Sequence, residues 1–201
     1  MLRPITLNIL FIACCCVSAY AQNPGQDGID HGATGTLNLD YFNGTNDPHI
    51  AWLKKDQDFH HTRALMVAYG QGDLQRAKVE LEWILVRFIN HPQVLAIAAA
   101  FSISTKNPTW AIPHFERAVR IYPQYALTYA QYGKYLTDIG MVDRGLERLR
   151  KATEMDPNLV AAHVWLAASY AKSGNADLAR ESAEKAKSLG YNGDLRQFGV
   201  K

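Results

Sequence analysis

The feature that most constrains this chain is a recurrence at a step of 34 residues, a period known from stacked helical hairpins. Gly72, Gly140 and Gly174 share one column of it, with Lys106 as the exception. Downstream of that column, Ala77, Ala111, Gly145 and Ala179 align, then Leu81, Phe115, Leu149 and Ala183, then Ile84, Ala118, Ala152 and Ala186. Upstream, Leu65, Ala99, Gly133 and Ala167 form one column and His61, Leu95, Tyr129 and His163 another. Pro123 and Pro157 close two of the copies, and Tyr191 stands in that place at the end. Around Gly140, Tyr129, Tyr132, Gly133 and Leu136 fall at helical spacing, and so do Leu146, Leu149 and Ala152, so each copy reads as helix, turn, helix. Small residues belong where two helix backbones approach, and large ones where they plug the gap between helices. A hairpin of this size cannot bury both apolar faces by itself, so the copies have to stack.

These columns resemble the tetratricopeptide-repeat family over Asp58 to Gly193, with copies at 58–91, 92–125, 126–159 and 160–193. The resemblance implies an all-α fold, a right-handed α-solenoid of about four helix-turn-helix units whose concave groove is lined by the first helix of each copy. It places Met66 and Tyr69 in that groove from the first copy, and Ile97, Ala100 and Ile103 from the second. Gln131, Lys134, Thr137 and Asp138 follow from the third, and Trp165, Ala168 and Lys172 from the fourth. One branch of the family holds a C-terminal carboxylate with a clamp of Lys, Arg and Asn. Ala96, Ala100, Gln131, Ala161 and Trp165 stand where those groups are expected, so that activity does not carry over. A groove that is apolar in its first half and mildly polar in its second suits a peptide with apolar anchors.

Ahead of the repeats, residues 1–21 have the layout of a secretory signal peptide: Arg3, an apolar run from Ile5 to Val17, and an Ala19-Tyr20-Ala21 ending before Gln22. The run is short for a membrane span, so no integral span is expected after cleavage. Processing as a lipoprotein at Cys14, after Phe11-Ile12-Ala13, is the minor alternative. Cys14, Cys15 and Cys16 all lie in this leader, so a cleaved chain has no thiol and no disulfide. An exported chain without disulfides points to a bacterial periplasm. The formal net charge of +2 falls to +1 with the loss of Arg3, which provides no concentrated basic face for nucleic acid and no polybasic segment for lipid.

Residues 22–57 read as a linker followed by an N-terminal capping segment. The stretch to about Thr45 is rich in Gly, Asn and Asp and without period, and Asn43-Gly44-Thr45 formally matches a glycosylation sequon. Asn46-Asp47-Pro48 marks a helix start. The second helix of the first copy, from Val79 to Ile89, is apolar almost all the way round, so Leu37 to Leu53 is expected to fold back on it, with partner docking there as the competing reading. At the other end, Ala176 to Leu189 is expected to keep Leu178, Ala179, Ala183 and Ala186 inside and to turn Arg180, Glu181, Ser182, Glu184, Lys185 and Lys187 outward. Residues 194–201 form a tail that Leu195 and Phe198 can pin.

Nothing in the sequence assembles catalytic chemistry. His60 and His61 follow Asp56 and Asp58, but adjacent residues on a helix diverge by about 100 degrees and cannot chelate one ion together. His61 and His163 share a packing column, and His31, His49, His91 and His114 have no common spacing. There is no Gly-x-Ser-x-Gly elbow, no phosphate loop and no His-Glu-x-x-His, so no enzyme, cofactor or metal is expected. The leading function is a non-catalytic scaffold or adaptor in the bacterial cell envelope that binds a protein or peptide in the groove. The alternative is an accessory, non-catalytic subunit of an exported enzyme or of a polysaccharide or cell-wall system, which Tyr125, Tyr129, Tyr132 and Trp165 lining an open groove would favour.

Overall fold

The computed structural model describes residues 38–43, 48–56, 58 and 62–200. The leader with its cysteines, most of the linker, the Asn46-Asp47 pair and His60-His61 lie outside these residues. Among the described residues the long elements are all helices: α1 (Pro48–Asp56), α2 (Thr62–Gly70), α3 (Leu74–Arg87), α4 (Pro92–Ser104), α5 (Ile112–Ile121), α6 (Ala126–Asp138), α7 (Val142–Met155), α8 (Val160–Lys172) and α9 (Ala176–Ser188). A 3-10 turn at Arg196–Phe198 and a single parallel bridge between Leu39 and Phe88 complete them. No described helix is long and apolar enough to cross a membrane. The chain divides into two compact units, one ending at Tyr122 and the other beginning at Pro123.

One turn geometry recurs in all four copies. The first helix closes with an N–H five residues on from its acceptor: Asp73 to Ala68 O, Asn107 to Ser102 O, Met141 to Leu136 O and Asn175 to Tyr170 O, at 2.8–3.0 Å. This closure needs a left-handed residue just before that N–H. Gly140 supplies it at φ +89°, as do the glycines of its column in two other copies, whereas Lys106 adopts φ +57° with a side chain in place. The copy with Lys106 also enters its second helix late. α5 starts at Ile112 rather than at the position of Pro108, and Pro113 therefore falls in its first turn. Had α5 begun at Pro108, Pro113 would sit in the helix interior, where its ring removes a hydrogen bond and clashes with the preceding turn.

In the unit ending at Tyr122, Leu65 and Ala68 of α2 and Ala77, Leu81, Ile84 and Leu85 of α3 are buried, as are Val94, Leu95, Ala98 and Phe101 of α4. Leu39, Ile50 and Phe88 form one buried cluster that Tyr41 and Leu53 flank. The N-terminal segment thus lies at the C-terminal end of α3 and leaves Val79 and Val86, 58% and 38% exposed, on a side of that helix uncovered among the described residues.

In the second unit α6 and α7 touch backbone to backbone. A Cβ on Gly133 would lie 2.7 Å from Gly145 O, and one on Gly145 would lie 2.7 Å from Gly133 O and 2.3 Å from Thr137 Oγ1. Both positions therefore require glycine. α9 rotates slightly from the expected register. Ala179, Ser182, Ala183 and Ala186 are buried at i, i+3, i+4 and i+7, so Ser182 faces inward and Leu178, about 100 degrees away on the helix, is 40% exposed. The tail closes this end: Leu195 and Val200 are buried against Ala167 and Ala183, with Tyr191 and Phe198 packed beside them.

Candidate functional site

The expected binding positions separate into those that face outward and those that do not. Met66, Tyr69 and Ala100 are half-buried and Ile103 is 45% exposed. Gln93 Nε2 lies 3.9 Å from Met66 Sδ. Ile97, at 3% exposure, is part of the core and offers nothing to a ligand. Gln131 and Thr137, at 6% and 4%, are also buried, and Thr137 is occupied within the unit. The outward-facing members of the second unit are Lys134 and Asp138 on α6 and Trp165, Ala168 and Lys172 on α8.

These residues share one face because α6 and α8 pack against each other through two hydroxyls. Thr137 Oγ1 lies 3.0 Å from Gly133 O, Ser169 Oγ lies 2.8 Å from Trp165 O, and the two hydroxyl oxygens are 2.8 Å apart. Two hydrogens serve three contacts, so whichever hydroxyl donates to the other gives up its own carbonyl. Lys172 Nζ donates to Thr137 O at 3.2 Å, on the last turn of α6, where a cation complements the exposed carbonyls. Asp138 sits between two ammonium groups, 2.5 Å from Lys134 Nζ and 3.7 Å from Lys172 Nζ. All three side chains are 29–49% exposed, so the trio contributes only about 0.3–1 kcal/mol per pair and keeps a net positive charge at the surface. Trp165 sits two helical turns before Lys172. The face is therefore apolar at one end and cationic at the other.

Tyr125, Tyr129 and Tyr132 are buried, at 3%, 9% and 0%, and do not line an open surface. His163 is buried with Nε2 2.9 Å from Pro157 O. Among the described residues no three His, Cys, Asp or Glu side chains gather as a metal site requires.

A second polar cluster, which the repeat columns do not announce, lies in the first unit. Asn90, fully buried, reads the N-terminal segment twice: its Oδ1 accepts from Tyr41 N at 2.8 Å and its Nδ2 donates to Asp40 Oδ1 at 2.7 Å. The Tyr41 ring lies on the His91 imidazole, centroids 3.9 Å apart at 30°, and the Lys54 ammonium lies 4.1 Å from the centre of the Tyr41 ring. His91 is 2% exposed, and neither ring nitrogen has a well-formed hydrogen bond among the described residues; the nearest group is Asp58 Oδ1, 3.4 Å from Nε2. An unsatisfied buried group of this kind costs about 1–3 kcal/mol. Burial pushes the His91 imidazole below its ordinary value, with the Lys54 charge adding to that and Asp58 opposing it. Burial likewise lowers the Lys54 ammonium, and burial followed by the Asp58 charge raises the Tyr41 phenol. Contacts between residues 49 or more positions apart leave no local pattern in a sequence.

Among solved structures the chain is similar to YrrB, described as a TPR protein with an unusual peptide-binding site, at a TM-score of 0.53 and 22% identity over 75% of this chain and 78% of that one. The fold is the tetratricopeptide repeat. TTC0263, a thermophilic TPR protein of Thermus thermophilus, matches at 0.54 and 20% identity, covering 69% of this chain and 77% of its own. MamA of Desulfovibrio magneticus RS-1, from residue 41 to its end, matches at 0.50 and 23%, covering 72% and 76%. No protein-family model matches the sequence, and no curated protein matches it either. The tetratricopeptide hairpin accounts for the shared turn closures and for the Gly133–Gly145 approach.

Proposed function

We propose that the protein is a non-catalytic scaffold of the bacterial cell envelope, exported and periplasmic, that holds a protein or peptide partner on the first-helix faces of its repeats. The observation that carries this reading is the α6–α8 face, where Trp165 offers an apolar anchor and Lys134 and Lys172 flank Asp138 with excess positive charge. Such a surface suits a segment with an aromatic or aliphatic side chain followed, about two helical turns away, by an acidic group. The likeness to a peptide-binding repeat protein and the signal-peptide layout of residues 1–21 support it.

Two experiments test it. In a Gram-negative host, the mature protein should be recovered from the periplasm with Gln22 at its N-terminus; a full-length chain in the cytoplasm would refute the envelope setting. Crosslinking from the native envelope should recover a partner with the wild type and lose it with Lys134→Glu plus Lys172→Glu, while Lys→Arg at both positions retains it. Equal recovery with all three proteins would refute the α6–α8 face.

A further inference from the structure

The segment Asn38–Tyr41 is held as a bound peptide is held. A backbone bond runs from Leu39 N to Arg87 O, 2.5 Å, at the isolated bridge to Phe88. Each of its four residues meets a specific group. Asn38 adopts φ +45°, a conformation that Asn tolerates better than other side chains. Its side-chain oxygen accepts from Arg117 and its carbonyl accepts from Tyr122 OH. Leu39, 2% exposed, fills an apolar slot against Phe88. Asp40 Oδ1 and Tyr41 N are read together by the Asn90 amide, and the Tyr41 ring covers His91.

We infer that Arg87, Phe88, Asn90, His91, Arg117 and Tyr122 form a peptide-binding site for an extended segment of the pattern Asn–large apolar–Asp–aromatic, and that Asn38–Tyr41 is its resident, displaceable occupant. Three observations support exchange. The backbone pairing is a single bridge, and side chains of Asn90, Arg117 and Tyr122 read the rest of the segment, with a pocket for Leu39. The resident itself offers no hydrogen bond to either His91 nitrogen, and only Asp58, outside the segment, approaches Nε2 at 3.4 Å, so the fit is one that a competing segment can improve on. The segment also lies ahead of the repeats and meets them at the C-terminal ends of α3 and α5, so releasing it leaves the helix pairs themselves intact. The site is built on other residues than the α6–α8 face, so its failure would leave the scaffold reading untouched.

The probe is a fluorescein-labelled peptide of sequence Thr36–Gly44, titrated into the full-length protein with anisotropy as readout. Wild type should refuse it, because the tethered segment competes at a millimolar effective concentration. Leu39→Asp, which evicts the resident segment, should bind it at least about ten-fold more tightly than wild type, and an Asn38→Ala version of the peptide should lose about ten-fold of that, the loss expected for one charged hydrogen bond. A folded Leu39→Asp protein that binds no better than wild type overturns the proposal. A concentration-dependent wild-type dimer that Leu39→Asp abolishes, with no peptide bound by either, would put a second copy's segment in the site and overturn it as stated. Should Leu39→Asp fail to fold, wild-type hydrogen exchange decides. The Leu39 and Tyr41 amides should exchange about a hundred-fold faster than those of Leu81 and Leu85, through local opening, and equal rates would make the segment an integral part of the unit.

Discussion

Acidification should loosen the first unit through His91. A base whose pKa is lowered by folding stays neutral in the native state while the unfolded chain takes up a proton, so the contribution is fully present above the unfolded value of 6.5 and declines as pH falls below it toward the native value. Within that window one site changes stability by about 1.4 kcal/mol per pH unit. The charged and titratable groups that face His91 are Asp58, which would welcome the proton, and Lys54 and Tyr41, which would not; burial dominates and sets the sign. The perturbation is His91→Phe, which keeps a flat ring beneath Tyr41 and removes both unsatisfied nitrogens. It should raise stability near neutral pH by about 1–3 kcal/mol, the cost of the unpaired buried group. It should also flatten the acid limb by about 1.4 kcal/mol per pH unit. His114 is lowered as well, by burial and then by Arg117, and gives a limb of the same sign, so the comparison is made in a His114→Gln background. The assay is urea unfolding between pH 7.5 and 5, followed by exchange of α3 and α4 amides so that the first unit is read by itself. An acid limb of the same slope with and without His91 would refute the reasoning.

Other consequences are more local. Lys106→Gly should stabilise the protein by about 0.5–1 kcal/mol, because a left-handed non-glycine residue costs roughly 1–2 kcal/mol and glycine returns part of that in the unfolded chain. Gly140→Ala, whose new methyl meets no atom within 4 Å, should lose about 1 kcal/mol by the same backbone effect, and both shifts are read as urea midpoints. Gly145→Ala should cost more, about 1–3 kcal/mol, since its Cβ would meet Gly133 O and Thr137 Oγ1, and thermal unfolding with the helix signal checks it. Lys134→Glu plus Lys172→Glu should shift the unfolding midpoint by no more than about 1 kcal/mol while weakening partner binding, which separates a surface role from a structural one.

The repeat columns are legible because they follow from local geometry: a helix period, a left-handed turn residue and a close approach each demand a residue type at a fixed offset. Gly133 and Gly145, twelve positions apart, mark a helix crossing as soon as the copies are aligned. The register of α9 is not legible at Leu178 and Ser182, since a 100-degree rotation separates two equally apolar stripes in a helix rich in alanine. For the binding face, the family resemblance assigns Ile97, Gln131 and Thr137 to the groove by their place in the first helices, but which of those positions a neighbouring helix covers depends on packing, and the structure buries all three. Asn38, Asn90 and Arg117 cannot be joined by inspection, because nothing local requires a fully buried asparagine to answer a residue 50 positions earlier.

Two departures from the repeat columns flank α4. Asn90-His91 occupies the junction between the first two copies, just past the column that Pro123 and Pro157 fill in later ones, and Lys106 replaces the turn glycine in the second copy. A junction that served only to turn the chain would need no buried amide and no buried imidazole short of hydrogen bonds, and a proline and a short turn suffice elsewhere. Sequences that break a local rule without gain in stability do so most often where a site has been built. His91 and Asn90 break it in the same turn and face the same segment, while the α6–α8 face obeys the rules of an ordinary solvated helix pair. If the protein carries two binding surfaces, the junction is the one that costs stability to maintain, and its occupancy by Asn38–Tyr41 explains how the cost is tolerated when no partner is bound.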